Sequence, residues 1–272
     1  MTTAAGTVEV PVAAPPPNER GLGALVRHTR FLAVRNLRLF GNVRSLFSVV
    51  VFPLVFLFGF LAVLNRLLDA RGIDAVTHLV PAIVVQAMFF SAIASAFFLS
   101  ADRGSGMLAR CRSLPIHRGS IIGARLVADA ARATVATLVV VGAGYALGFR
   151  FEAGPFAALA FLVVAVAFAL VLAAGAGTIG LASTDSEAVA ATLTLPYLPL
   201  MILSSAFAPV EAFPDWLESI VAASPVTATI EALRALASGG PTVGPLWQAG
   251  AWLVGLLAVF SYTATRAFRR AA

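Results

Sequence analysis

The sequence predicts an all-α integral membrane fold: six transmembrane helices with both termini inside, an N-terminal amphipathic interfacial helix, and two short outer-leaflet helices between spans 5 and 6. Three observations predict it. The 272 residues are 60% hydrophobic and 12% charged, with a mean hydropathy of +0.92, far outside a soluble composition. The apolar residues form continuous runs of about 20, the length that crosses a hydrocarbon core, and not the alternating segments of a barrel. Arginine is unevenly shared between alternate connections, which sets the orientation.

Residues 1–19 read as a flexible tail, with Pro11, Pro15, Pro16 and Pro17 and no basic residue, so the charged start of a signal peptide is missing. From Arg20 to about Phe40 the period turns helical. Arg20, Arg27, Arg30, Arg35 and Arg38 fall on one side, and Leu22, Leu25, Leu32, Leu37, Leu39 and Phe40 on the other, with Phe31 and Val34 intruding on the basic face. Such a helix lies in the headgroup plane. Whether it anchors lipid or meets a partner is open from these residues.

The first span is expected at about Leu46 to Leu64, with Pro53 inside it, and the second at about Leu79 to Ser100, with Pro81 in its first turn. A third helix starts near Ser120. Its early turns carry Arg125, Asp129 and Arg132 on one face, and since its apolar part runs from Ala133 to about Leu147, these charges are expected at the cytoplasmic boundary. The fourth span, about Phe156 to Leu181, repeats small residues at i+4 (Ala169, Ala173 and Gly177; Ala176 and Gly180), a pattern for close helix approach. A short acidic loop leads to a fifth span, about Ala188 to Phe207, broken by Pro196 and Pro199, and the last span is about Leu246 to Ala264. Between them, Pro214 opens a short helix bearing Trp216, and Ser224 with Pro225 caps and starts a second that ends before Gly239. Both pieces are expected to lie at, or dip into, the outer leaflet.

With the N-terminus inside, thirteen arginines are cytoplasmic and only Arg66, Arg71, Arg150 and Arg234 are outside. All basic residues are arginine, so a P-loop, which needs a lysine, cannot be built from these residues. Cys111 is the only cysteine, and His28, His78 and His117 lie in separate segments, which disfavours a metal centre and a catalytic cluster. The net charge of +6 reads as a basic membrane face and not as a nucleic-acid surface. From the residues alone, a stand-alone secondary transporter or channel remains the alternative to a subunit driven by a partner.

The longest basic segment between spans is Asp102 to Arg118, DRGSGMLARCRSLPIHR. A helix from about Gly106 to Ser113 would stop before Leu114 and Pro115, because proline disfavours helical geometry in the residue before it. Taken by itself, this loop could do no more than set topology. It resembles the cytoplasmic motif of ABC-2 type permeases at Asp102, Arg103, Gly106, Leu108, Arg110, Leu114, Pro115 and Arg118. The stretch before the last span is similar to the same family at Pro209, Pro214, Trp216, Pro225, Arg234 and Gly240, and LGFRF at Leu147 to Phe151 brings it nearest to daunorubicin-resistance-type export permeases. Ala101 departs from the pattern, where relatives often carry a second charge.

The resemblance implies that residues 20–272 form one ABC-2 type transmembrane domain. It implies a permease that is no enzyme itself and binds no cofactor, with ATP and Mg2+ held on a separate ABC ATPase subunit present in two copies. Residues 102–118 would dock that subunit. A second permease copy or paralogue would complete the pore, and an amphipathic drug, polyketide or lipid would be moved out of the cytoplasm or inner leaflet of a bacterial plasma membrane.

Overall fold

The computed structural model of the protein describes residues 23, 26, 27, 29, 30, 32–34, 43–107 and 118–271. Eight helices follow one another in residues 43–271: α1 Val43–Asp69, α2 Ala75–Gly104, α3 Arg118–Ala146, α4 Pro155–Ala182, α5 Ser186–Ile202, α6 Asp215–Ala223, α7 Pro225–Ser238 and α8 Val243–Ala271, with a 3-10 turn at Val210–Ala212 before α6. The described residues contain no strand.

Local chemistry sets the ends of these helices. Asp74 caps α2 by accepting from the Thr77 amide at 2.8 Å, and Asp185 caps α5 by accepting from the amides of Glu187 and Ala188. Pro155 and Pro225 occupy first-turn positions, where no amide donor is needed. Ser224 accepts from the Val226 amide, and Gly239 ends α7 in the left-handed conformation, with φ 69°, that glycine adopts without strain. Because α2 starts at Ala75, Pro81 lies inside the helix and not in its first turn as the hydropathy suggested. The polar first turn, built on the Asp74 cap, carries too little hydropathy to register.

Helix α2 is the spine, packed against α1, α3, α4, α5 and α7. Its closest neighbour is α4. Ala92 and Ala96 face Ala173 and Ala176, and a Cβ added at Gly180 would stand 2.6 Å from the Ala96 carbonyl oxygen. Small residues let two backbones meet where lipid supplies no hydrophobic drive, so dispersion and packing hold the pair. Ser100 adds a hydrogen bond to the Ser183 carbonyl at 2.9 Å. The expected small-residue seam is therefore the α2–α4 interface.

Five helices are individually long and apolar enough to cross a membrane: α1, α2, α3, α4 and α8. The sixth crossing is α5, whose 17 residues measure only about 25 Å at the helical rise. Gly104 at the inner end of α2 approaches Thr184 just before α5, while the Arg234 side chain joins His78 at the outer end of α2 to Ser205 and Ala206 just after α5. With residues 203–206, α5 therefore covers nearly the whole depth of α2. Helix ends at Ile202 and not near Phe207 because Pro196 and Pro199 weaken its last turns and the chain bends into turns from Leu203.

Helices α6 and α7 meet at 71°. The first matches an interfacial piece, with Trp216 and Ile220 exposed. Helix α7 is the piece that dips in: Val226, Ile230, Ala232, Leu233, Leu236 and Ala237 are buried, and it packs between α2, α4 and α8. It is a core element that re-enters the bundle. An aromatic knot from the LGFRF stretch closes the same end. Phe149 is fully buried, its ring 5.2 Å from that of Phe151, and Phe151 lies 5.3 Å from Phe161. Arg150 donates to the Tyr145 and Phe149 carbonyls, both at 2.6 Å.

Candidate functional site: the cytoplasmic hairpin and the polar clusters above it

Helices α2 and α3 form a hairpin whose tip is the basic loop. Asp102 and exposed Arg103 belong to the last turn of α2, and Gly106 follows with φ 71°, a left-handed conformation that favours glycine. Arg118 opens α3. The side chain of Arg118, together with Leu108, Arg110, Leu114 and Pro115, lies outside the described residues, as do Arg35 and Arg38 of the N-terminal helix. In that helix Gly23, Val26, Arg27, Arg30 and Val34 share one exposed face. Ala33 is buried on the other, and Thr29 is the side chain that a Cβ at Gly123 of α3 would meet, at 3.2 Å. The N-terminal helix is thus laid along the inner end of α3 with its arginines Arg27 and Arg30 outward.

Above the hairpin tip the charges of α3 turn inward. Arg125 lies 3.8 Å from Asp102 and 3.9 Å from Asp129, and it donates to the Ser95 carbonyl. The Ser95 hydroxyl donates to Asp129 at 2.7 Å. Arg132 lies 3.4 Å from the other Asp129 oxygen, donates to the Ser91 carbonyl at 3.1 Å and sits over the Phe98 ring at 5.6 Å. Ser91, Ser95, Asp129 and Arg132 are all buried. The sequence placed these charges at the cytoplasmic boundary, but Arg132 stands at the middle of α3 and Ser91 just past the middle of α2. Mutual pairing and the serines of the facing helix make that depth tolerable. Removing one member of such a buried set costs about 3–5 kcal/mol. The sequence signal for the pairing is Ser91, Ser95 and Asp102 on α2 opposite Arg132, Asp129 and Arg125 on an antiparallel α3, legible only once the two helices are known to face each other.

A second cluster closes the outer end. Arg234 of α7 donates to Ser205 O at 2.7 Å and to His78 O at 3.1 Å, contacts His78 Nε2 at 2.9 Å, and pairs with Glu231 at 2.6 Å. Thr227 of the same helix accepts from the Ser205 amide. Three elements, α2, α7 and the segment after α5, are therefore tied by one guanidinium. Of the other outer-loop positions, Pro214 stands exposed just before α6, Trp216 is exposed on it, and Pro225 starts α7; the structure does not bring them into the Arg234 cluster.

Between α1, α2 and α5 runs a chain of aromatic rings. Phe52 meets Phe90 at 4.9 Å, Phe90 meets Tyr197 at 5.0 Å, and Phe56 and Phe60 continue to Phe207 at 4.3 Å from Phe60. Gln86, one turn from Phe90 on α2, is buried, and its Oε1 has no hydrogen-bond partner among the described residues.

A bundle of six crossings, with a re-entrant pair on one side and a basic hairpin on the other, defines a multi-pass helical membrane protein. Residues 23–237 match the ABC-2 type transporter family, and the chain belongs to it. It is similar to the probable doxorubicin resistance ABC transporter permease protein DrrC of Mycobacterium tuberculosis, at 29% identity over 228 residues, covering 84% of this chain and 82% of that one. The daunorubicin resistance ABC transporter permease protein DrrB1 of Streptomyces coeruleorubidus is 28% identical over 228 residues, covering 83% and 80%. The doxorubicin resistance ABC transporter permease protein DrrB of Mycobacterium tuberculosis is 25% identical over 160 residues, covering 59% and 55%. The chain is accordingly a permease subunit of an ABC transporter, a multi-pass protein of the bacterial inner membrane.

Proposed function

We propose that this permease exports an amphipathic molecule, of the drug, polyketide or lipid kind, when two copies of a separate ABC ATPase dock on residues 102–118 from the cytoplasm. A second permease, either another copy of this chain or a paralogue, completes the pathway. The observation that carries the reading is a pairing of opposites. The chain belongs to an ATP-driven transporter family, yet these 272 residues hold no lysine and cannot form the phosphate loop. ATP and Mg2+ therefore reside on a partner, and the basic hairpin tip is the surface offered to it. The relatives' association with doxorubicin and daunorubicin resistance supports a ring-bearing amphipathic substrate. So do the aromatic chain from Phe52 to Phe207 and the available Gln86 Oε1, which suit stacked rings carrying a hydrogen-bond donor.

The test is co-expression with an ABC ATPase subunit of the same genome and purification through a tag on this chain. The ATPase is expected to co-purify, and Arg110→Glu or Leu114→Asp is expected to lower export at least about tenfold, equivalent to about 1.4 kcal/mol of lost coupling, while the permease stays in the membrane. Export unchanged in both variants would remove the docking role. Transport driven by a proton or sodium gradient without ATP would point instead to a secondary transporter.

A further inference from the structure

The buried charges of α3 are more than a packing solution, because of what they join. Arg125 and Arg132 each donate to a backbone carbonyl of α2, at Ser95 and Ser91. Those two carbonyls are one helical turn apart, and Asp129 lies between the guanidiniums, held by Ser95 as well. The lowest rung is Asp102, in the last turn of α2 beside the hairpin tip. The two helices are thus cross-linked at intervals from the tip to their midpoints, with charge balanced between Asp102 and Asp129 on one hand and Arg125 and Arg132 on the other. Apolar helix pairs can slide past each other, since one dispersion contact resembles the next. Directional, buried, charge-assisted bonds have one register.

Helices α2 and α4 are also zipped, at Ala96 and Gly180. Helix α2 is thereby fixed on two sides, to α3 by directional charged bonds and to α4 by a close backbone approach.

We propose that Arg125, Asp129 and Arg132 are positioning residues for transport: they make the α2–α3 hairpin a single lever, so that a displacement at residues 105–117 reaches the level of Phe90 and Gln86 without being absorbed by sliding between the helices. The proposal rests on the docking reading above. Neutralising the array while keeping its shape, with Asp129→Asn and Arg132→Gln together, leaves hydrogen-bonding groups in place and avoids a single orphaned charge.

Two readouts test it. In the permease alone, with Cys111→Ser, spin labels are placed at the exposed positions 101 on α2 and 122 on α3. The distance distribution is expected to be narrow with the array intact and at least about twofold broader in the neutralised double variant. In proteoliposomes with the ATPase, the same double variant is expected to hydrolyse ATP within about twofold of the parent while substrate moved per ATP falls at least about tenfold. Arg132→Lys, which keeps the charge, is expected to recover part of that loss. An unbroadened distribution overturns the proposal. So does unchanged transport per ATP, and so does a joint loss of hydrolysis, transport and assembly, which marks a folding role only. If the parent permease itself fails to bind the ATPase, the docking reading fails, and the spin-label arm still decides whether the array stiffens the hairpin.

Discussion

Gly180→Ala is expected to lower the stability of the solubilised protein by about 1–3 kcal/mol, and Gly180→Leu to prevent accumulation of a monodisperse permease. The added Cβ would lie 2.6 Å from the Ala96 carbonyl oxygen and 3.1 Å from its Cα, and both are backbone atoms of the spine helix. No side-chain rotation relieves such a clash, so α4 must move away from α2. That movement loosens the Ala92, Ala96, Ala173 and Ala176 contacts and the Ser100 hydrogen bond together. Gly177→Ala is the control, because its Cβ would make an ordinary 3.6 Å contact with the end of Leu99. Thermal unfolding followed by size-exclusion chromatography separates the two. Equal melting temperatures for Gly180→Ala and Gly177→Ala would show that the α2–α4 approach is wider than described.

Arg234→Leu is expected to cost roughly 2–4 kcal/mol and to expose the segment between α5 and α6 to protease from the outside. The guanidinium reaches the carbonyls of His78 and Ser205 and the ring of His78 at once. Its side chain is only 14% exposed, and no water replaces those bonds at low cost. The pairing with Glu231 adds little by itself, since Glu231 is 40% exposed. Arg234→Lys is expected to recover less than half of the loss, because one ammonium cannot span acceptors on two elements as the planar fork does. Wild-type stability in Arg234→Leu would remove the clamp from the account.

The spans were legible because a membrane imposes one strong rule on composition and length, and the helix start at Ser224 and Pro225 was legible because caps are local chemistry. Three features were not. Arg132 at the middle of α3 looked like a boundary charge, since hydropathy counts a charge as outside when its partners are on another helix. Helix α7 was placed only at, or dipping into, the outer leaflet. That Arg234 on it reaches carbonyls of α2 and of the chain after α5 is encoded by no periodicity. Pro81 looked like a first-turn proline because the true first turn, Ala75 to His78, contains Thr77 and His78 and is capped by Asp74. In the first two cases the missing information was which helices face each other.

Cys111, placed by the sequence within the basic hairpin and alone of its kind, gives the most direct test of the central claim that a cytoplasmic motor grips this chain at residues 102–118. A membrane-impermeant maleimide should label it in inverted membrane vesicles, not in intact cells, and added ATPase subunit should protect it. Labelling in intact cells, or labelling in inverted vesicles that the ATPase leaves untouched, would contradict the account.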